Sequence, residues 1–264
     1  MKTILDREIV GDRENVQYTL PIGDEFQNMN KQIGKNVGLS YQGEIHCIYC
    51  GQKTKTSFAQ GYCYPCFTSL PQTDACIIRP ELCEAHNGIS RDMEWSEDNC
   101  LQDHFVYLAI SSGLKVGVTK SSNLPTRWID QGAWKAIRLA KTPNRYLAGT
   151  IEVELKRNFQ DRTNWREMLK NEIDRDVDLH IAKKQAVEFL PDQMKDYITM
   201  DNEVVEISYP VLVYPEKVNS INLDKKPDFR GKLVGIKGQY LIFEGGYVIN
   251  IRKYAGYLIR LKVE

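Results

Sequence analysis

The sequence predicts an α+β protein: a zinc-ribbon or knuckle region, then an α/β core, then a small C-terminal β domain of barrel-like form. Three observations carry this. CIYC at 47–50 and CYPC at 63–66 are two Cys-x-x-Cys pairs with twelve residues between them. Strand-like stretches from Phe105 to Ala140 give way, from Pro143, to apolar residues at helical spacing. The last forty residues alternate apolar positions with glycine at short intervals, as a small antiparallel barrel or sheet does.

Taken in order, Val16 to Leu20 and Val37 to Ile45 are strand candidates in an extended lead-in, 1–45. A zinc-binding region, 46–103, follows. The core, 104–175, opens with FVYLAIS and LKVGVT, two strands joined at Ser112 and Gly113 as a hairpin. A short helix is expected over Leu124 to Gln131, with Ser121, Ser122 and Asn123 as N-cap candidates and Pro125 in the first turn. Trp134 to Ala140 reads as a third strand. Leu147, Ile151, Leu155 and Phe159 recur every four residues in one helix, and Trp165 to Ile173 forms another. In the connector, 176–224, residues 178–200 read as a helix broken at Pro191, and Glu203 to Val213 as a strand. The β domain is 225–264.

The 264 residues are 42% apolar, enough to bury a core. No apolar run approaches the roughly 20 residues of a membrane span and no signal-like start is present, so a cytoplasmic protein with no membrane partner is expected. All seven cysteines lie between Cys47 and Cys100, and without a secretory signal they point to metal rather than disulfides. Net charge is zero but unevenly spread: residues 104–170 carry 12 Lys/Arg against 5 Asp/Glu, and residues 171–224 carry 5 against 12. Such blocks form either a binding face or ordinary solvated surface.

Cys47, Cys50, Cys63 and Cys66 have the spacing of a four-thiolate structural zinc site. Gly51 and Gly61 stand where the turns need freedom from a side chain, and Tyr62, Tyr64 and Phe67 are available to pack around the metal. Cys76, Cys83, His86 and Cys100 supply donors of the right type for a second site, with Cys83-x-x-His86 spaced as a ligand pair. Both sets are expected to be closed and structural.

The hairpin and the helices after it resemble the GIY-YIG nuclease core. Val106-Tyr107-Leu108 stands at the first motif and Lys115-Val116-Gly117 at the second; Arg127 follows Lys120-x-x-x-Leu124, and Glu152 lies in the next long helix. Phe105 and Val106 replace the first motif's glycine and isoleucine, and Lys115 replaces the second motif's tyrosine. The resemblance implies phosphodiester hydrolysis, with Tyr107 as general base, Arg127 stabilising phosphate charge and Glu152 holding Mg2+ or Mn2+. On the residues alone, Tyr107 is equally a packed strand residue and Glu152 the i,i+4 partner of Lys156.

From Cys47 onward the chain is also similar to a bacterial family known as domain of unknown function 2797, through CIYCGQKTK, GYCYPCF, CIIRPELCEAH, VYLAISSGLKVGVTK, TRWIDQGAWKA and GIKGQYLIF. Members of that family often carry a further cysteine near the position of Ser90.

Lys115, Lys120, Trp128, Trp134, Lys135, Arg138, Arg145, Trp165 and Arg166 are candidate nucleic-acid contacts, the tryptophans by base stacking and the cations by phosphate pairing. Three functions compete. One is a zinc-stabilised nucleic-acid-binding protein acting as a metal-dependent endonuclease on RNA or DNA. Another is a non-catalytic factor bound to RNA, a ribosome or another RNA–protein complex. The third is a protein-interaction scaffold whose charge blocks neutralise each other.

Overall fold

A computed structural model describes residues 6–8, 16–159 and 162–264. The first strands are β1 (Asp6–Glu8), β2 (Gln17–Ile22), β3 (Glu25–Asn28), β4 (Asn36–His46) and β5 (Lys53–Thr54). Helices α1 (Tyr64–Ser69) and α2 (Met93–Asn99) lead to β6 (His104–Ile110), β7 (Leu114–Lys120), α3 (Thr126–Asp130) and β8 (Lys135–Thr142). Then come α4 (Arg145–Leu155), α5 (Trp165–Lys170), α6 (Leu179–Phe189), α7 (Asp192–Lys195) and β9 (Val204–Glu206). The chain closes with β10 (Asn219–Ser220), β11 (Asp228–Lys237), β12 (Tyr240–Phe243), β13 (Tyr247–Asn250) and β14 (Tyr257–Val263). No helix is long and apolar enough to cross a membrane among the described residues.

Two compact units emerge, one drawn from 1–68, 169–171 and 207–264, the other from 69–168 and 172–206. In the first, β1, β2 and β3 form a small antiparallel sheet and seven strands form a larger one, ordered β10-β13-β12-β11-β4-β14 with β5 on β4. The expected lead-in and C-terminal domain therefore share a sheet, because β4 is hydrogen-bonded to β11 on one side and β14 on the other. The sheet does not close, which corrects the barrel-like expectation. Residues 1–5 and 9–15 of the lead-in lie outside the described residues. Strand β11 pairs with β4 through Lys232 and with β12 from Leu233, its register shifting before Gly235. A Cβ at Gly235 would meet Val211 at 2.8 Å, so only glycine allows that close approach.

The second unit is built on the antiparallel sheet β7-β6-β8-β9. Period-two alternation puts Val106, Leu108 and Ile110 of β6 into a core with Ile137 and Leu139 of β8, Ile151 and Leu155 of α4, and Ala182 and Ala186 of α6. The hairpin, the third strand and the break at Pro191 appear where the sequence places them, while the helix of four-residue spacing ends at Leu155 and leaves Phe159 beyond it. Three differences have local causes. Pro125, not a residue of the Ser121–Asn123 run, stands at the N-cap of α3, with no side-chain cap hydrogen bond. Residues 121–123 instead form a 3-10 turn, which shortens α3. The strand expected over Glu203 to Val213 pairs in this sheet only as β9, over Val204–Glu206.

Helix α4 lies so close to the 3-10 turn Pro80–Leu82 that a Cβ at Gly149 would fall on the backbone of Pro80 and Glu81. Alanine gains about 1 kcal/mol of helix propensity, but backbone cannot give way as a side-chain tip can. Gly149→Ala is therefore expected to lose a net 1–3 kcal/mol or so, read as a lower urea midpoint. An unchanged midpoint would mean that the turn and helix are not in contact.

Candidate metal centres and the Tyr107 cluster

The first centre lies at the end of β4. The turn after Cys47 is closed by Gly51 N–H to Cys47 O at 2.9 Å, and Gly51 takes φ +73°, where a side chain is strained. Gly61 has φ +137°, and a Cβ there would meet Ile48 at 2.8 Å. Around the second pair, Phe58 stacks on Phe67 at 5.6 Å and meets Tyr64 edge-on at 5.5 Å. The sulfurs of Cys47, Cys50, Cys63 and Cys66 all lie within 4.8 Å of one another, with Cys50 Sγ to Cys63 Sγ at 3.8 Å. Four thiolates about 2.3 Å from zinc stand about 3.8 Å apart at tetrahedral corners, so the spacing is that of a metal cage. Burial opposes ionisation of Cys47, yet amide donors at Cys50, Cys63 and Tyr49 bring it down to about 6. Burial and the neighbouring sulfurs push Cys66 up to about 12.

The second centre holds Cys76, Cys83 and Cys100, all buried and again within 4.8 Å of one another. Cys76 sits on a 3-10 turn capped by Asp74, and Cys100 caps α2. Donation from the Cys76 and Cys83 thiols holds Cys100 down at about 2. Cys76 is pushed up by Cys100 and then Cys83, and Cys83 by Cys100. One thiolate thus shares two thiol protons, and a dication can displace both. His86 is not in this group. It is exposed, and its ring stacks on Tyr146 at 4.4 Å, which corrects the four-donor expectation. Arg145, by contrast, belongs to the centre's surroundings: its guanidinium donates to Cys76 O and Asn99 O, and its charge favours the Cys100 thiolate.

His104 also stands near Cys100. It is buried, its Nδ1 pairs with Gln102 O at 2.7 Å, and Nε2 has no partner among the described residues. Burial holds its pKa down at about 4, against an ordinary 6.5. Since the unfolded chain takes up this proton first, its contribution is complete above about pH 6.5 and is lost as pH falls toward 4. At 1.36 kcal/mol per pH unit the loss reaches roughly 3 kcal/mol. His104→Asn, which keeps a donor for Gln102 O, should flatten unfolding free energy across that window; an unchanged slope would refute the assignment.

On the sheet, Tyr107 of β6 lies opposite Gly117 of β7, where a Cβ would meet the phenol oxygen at 2.6 Å. The hydroxyl accepts from Gln131 Nε2 at 2.8 Å and is also hydrogen-bonded by Arg127. Burial raises the Tyr107 pKa, Arg127 and Gln131 oppose the rise, and the Glu152 charge adds to it. Arg127 and Glu152 thus both act on Tyr107. Glu152 also pairs with Lys156 Nζ at 3.2 Å, and Tyr107 is wholly buried. Gln131 went unrecognised in the sequence, where only its place at the end of TRWIDQ could have marked it.

The expected nucleic-acid contacts divide. Lys115 is buried with Nζ on Thr163 Oγ1 at 2.7 Å, and Trp128 is 1% exposed, so both are turned inward against expectation. Lys120 donates to Asp98 O and Asn99 Oδ1. Lys135 pairs with Glu206, and Arg138 with Asp201 and Glu203, so the acidic block offsets the basic one within this unit. Trp134 is half-buried between Lys135 and Arg175. Arg166 is exposed and lies over Trp165 at 4.3 Å.

Residues 34–259 match the family described as protein of unknown function (DUF2797). The chain belongs to that family. The match takes in both cysteine centres and the Tyr107 cluster. No curated protein and no solved structure matches the chain. The family description carries no activity, so function has to be argued from these clusters.

Proposed function

We propose that this DUF2797 protein is a zinc-stabilised nucleic-acid-processing protein whose second unit is a GIY-YIG-like module cleaving phosphodiester bonds in RNA or DNA. The observation that carries the reading is the Tyr107 hydroxyl of β6, bonded by Arg127 of α3 and within range of the Glu152 charge of α4. The order hairpin, helix, strand, helix agrees with it. Burial raises the Tyr107 pKa on balance, and Arg127 and Gln131, both hydrogen-bonded to the hydroxyl, offset part of that rise toward the phenolate a general base needs. Arg127 also offers a charge to phosphate oxygens. Glu152 is the kind of single carboxylate that holds Mg2+ or Mn2+, in place of the Lys156 ammonium 3.2 Å from it. Such a cation, when bound, supplies Lewis-acid stabilisation of phosphoryl charge.

A second reading keeps nucleic-acid binding without cleavage, alone or in a ribosome or other RNA–protein complex. The complete burial of Tyr107 and the Lys156 partner of Glu152 favour it. A scaffold function is favoured by the paired charge blocks. Labelled RNA and DNA incubated with the protein, with and without Mg2+ or Mn2+, separate the three. Metal-dependent cleavage supports the first reading. Salt-sensitive binding without cleavage supports the second, and neither result leaves the scaffold.

A further inference from the structure

Three sulfurs gathered without a fourth histidine, cysteine or carboxylate donor among the described residues raise the question of what completes the second centre. Cys76, Cys83 and Cys100 all line one cavity of about 270 Å³, whose wall also includes Leu82, Ile89 and Trp95. That volume is several times the roughly 30 Å³ occupied by a water molecule, so a small organic molecule fits. The nearest sequence candidate for a closing ligand, His86, has its ring against Tyr146 instead.

From this geometry we infer that the second centre is a three-thiolate metal site whose fourth position opens on the cavity and takes an exchangeable low-molecular-weight thiol. The inference rests on metal occupying this centre. Zinc with three protein ligands keeps one position for an outside donor, and a soft thiolate set accepts another sulfur. Three thiolates around a dication carry one net negative charge, and a fourth makes two. Arg145 stands beside the sulfurs to offset that charge, with its guanidinium fixed on Cys76 O and Asn99 O and its Nε buried without a partner among the described residues. The wall matches such a ligand: Leu82, Ile89 and Trp95 suit a carbon chain, and Arg91, held by Asp74 at 2.9 Å, suits a polar end. On binding, the thiol's S–H proton leaves to solvent and its sulfur lone pair forms the metal bond, with no change of oxidation state.

The test uses the full chain loaded with Co2+ under a phosphine reductant, with β-mercaptoethanol as the probe. The cobalt d–d bands should move saturably as the thiol is added. His86→Phe, which keeps an aromatic ring on Tyr146 but offers no nitrogen, should give the same starting spectrum and the same titration. A spectrum altered by His86→Phe would make His86 the fourth ligand and overturn the inference, as would cobalt in both centres with no response to thiol. Protein that binds a single cobalt, with uptake unaffected by Cys83→Ser, would refute metal at the second centre and the inference with it. Such a result leaves the first centre and the Tyr107 reading standing.

Discussion

Stripping metal with a chelator at neutral pH is expected to unfold the knuckle around Cys47, Cys50, Cys63 and Cys66 and to loosen the second unit separately. Structural zinc contributes about 10–16 kcal/mol in small zinc domains, against a whole-domain stability of roughly 5–15 kcal/mol. The loss is therefore as large as the fold's own margin. In the first unit it falls on residues 47–69, where neither β5 nor the short helix α1 contains a buried residue. In the second it reaches α4, because Arg145 N–H bonds Cys100 O at 2.8 Å and its guanidinium holds Cys76 O. Hydrogen exchange should speed up at 47–69, at 75–100 and in the first turn of α4; full protection in metal-free protein would overturn the prediction. Proton competition sets the pH dependence. Cys66 lies at about 12, and Cys76 and Cys83 are raised, so metal uptake releases protons and affinity falls as pH falls. A zinc affinity independent of pH between 6 and 8 or so would mean that thiolates are not the ligands.

What the sequence revealed was local. The β6–β7 hairpin is written in two alternating runs and one turn, and α4 in a four-residue apolar period, so neighbours in sequence supply the pattern. The knuckles are legible for the same reason, since each Cys-x-x-Cys pair lies within one turn. Pairings across long separations left no such mark. Nothing in the Asn36–His46 run says that its partners are β11 and β14, far along the chain at Asp228–Lys237 and Tyr257–Val263. Nor does the basic run from Lys135 to Arg138 say that Glu206, Asp201 and Glu203 will neutralise it. Trp128 reads as a stacking platform beside Arg127, yet it is buried edge-on to Tyr107 at 6.1 Å, while Arg127, bonded to the same tyrosine's hydroxyl, stays exposed. His86 shows the limit of ligand spacing, because the x-x interval permits a turn and does not direct the ring.

Tyr107→Phe is the change that separates the two readings of the second unit. If the phenol is the base, cleavage falls by about 10²–10⁴-fold, and Arg127→Ala lowers it by about 10²–10³-fold. Glu152→Gln should abolish the cleavage that Mg2+ or Mn2+ supports, since the amide removes the charge that holds the cation. The same Tyr107→Phe change leaves Gln131 Nε2 facing a ring edge instead of an oxygen, with a cost of about 1–3 kcal/mol for the orphaned donor. Stability alone therefore cannot decide between a base and a strut. The decisive quantity is cleavage per folded molecule, measured well below each variant's melting temperature. A purely structural Tyr107 predicts lower melting with unaltered specific cleavage or none in any form, whereas a catalytic one predicts folded protein that binds nucleic acid and no longer cuts it. Lys156→Met completes the comparison by removing the ion pair at 3.2 Å while keeping the length of the side chain. It removes one competing cation from the Glu152 carboxylate, so the cation concentration for half-maximal cleavage should fall; a rise would show that Lys156 itself serves the phosphate.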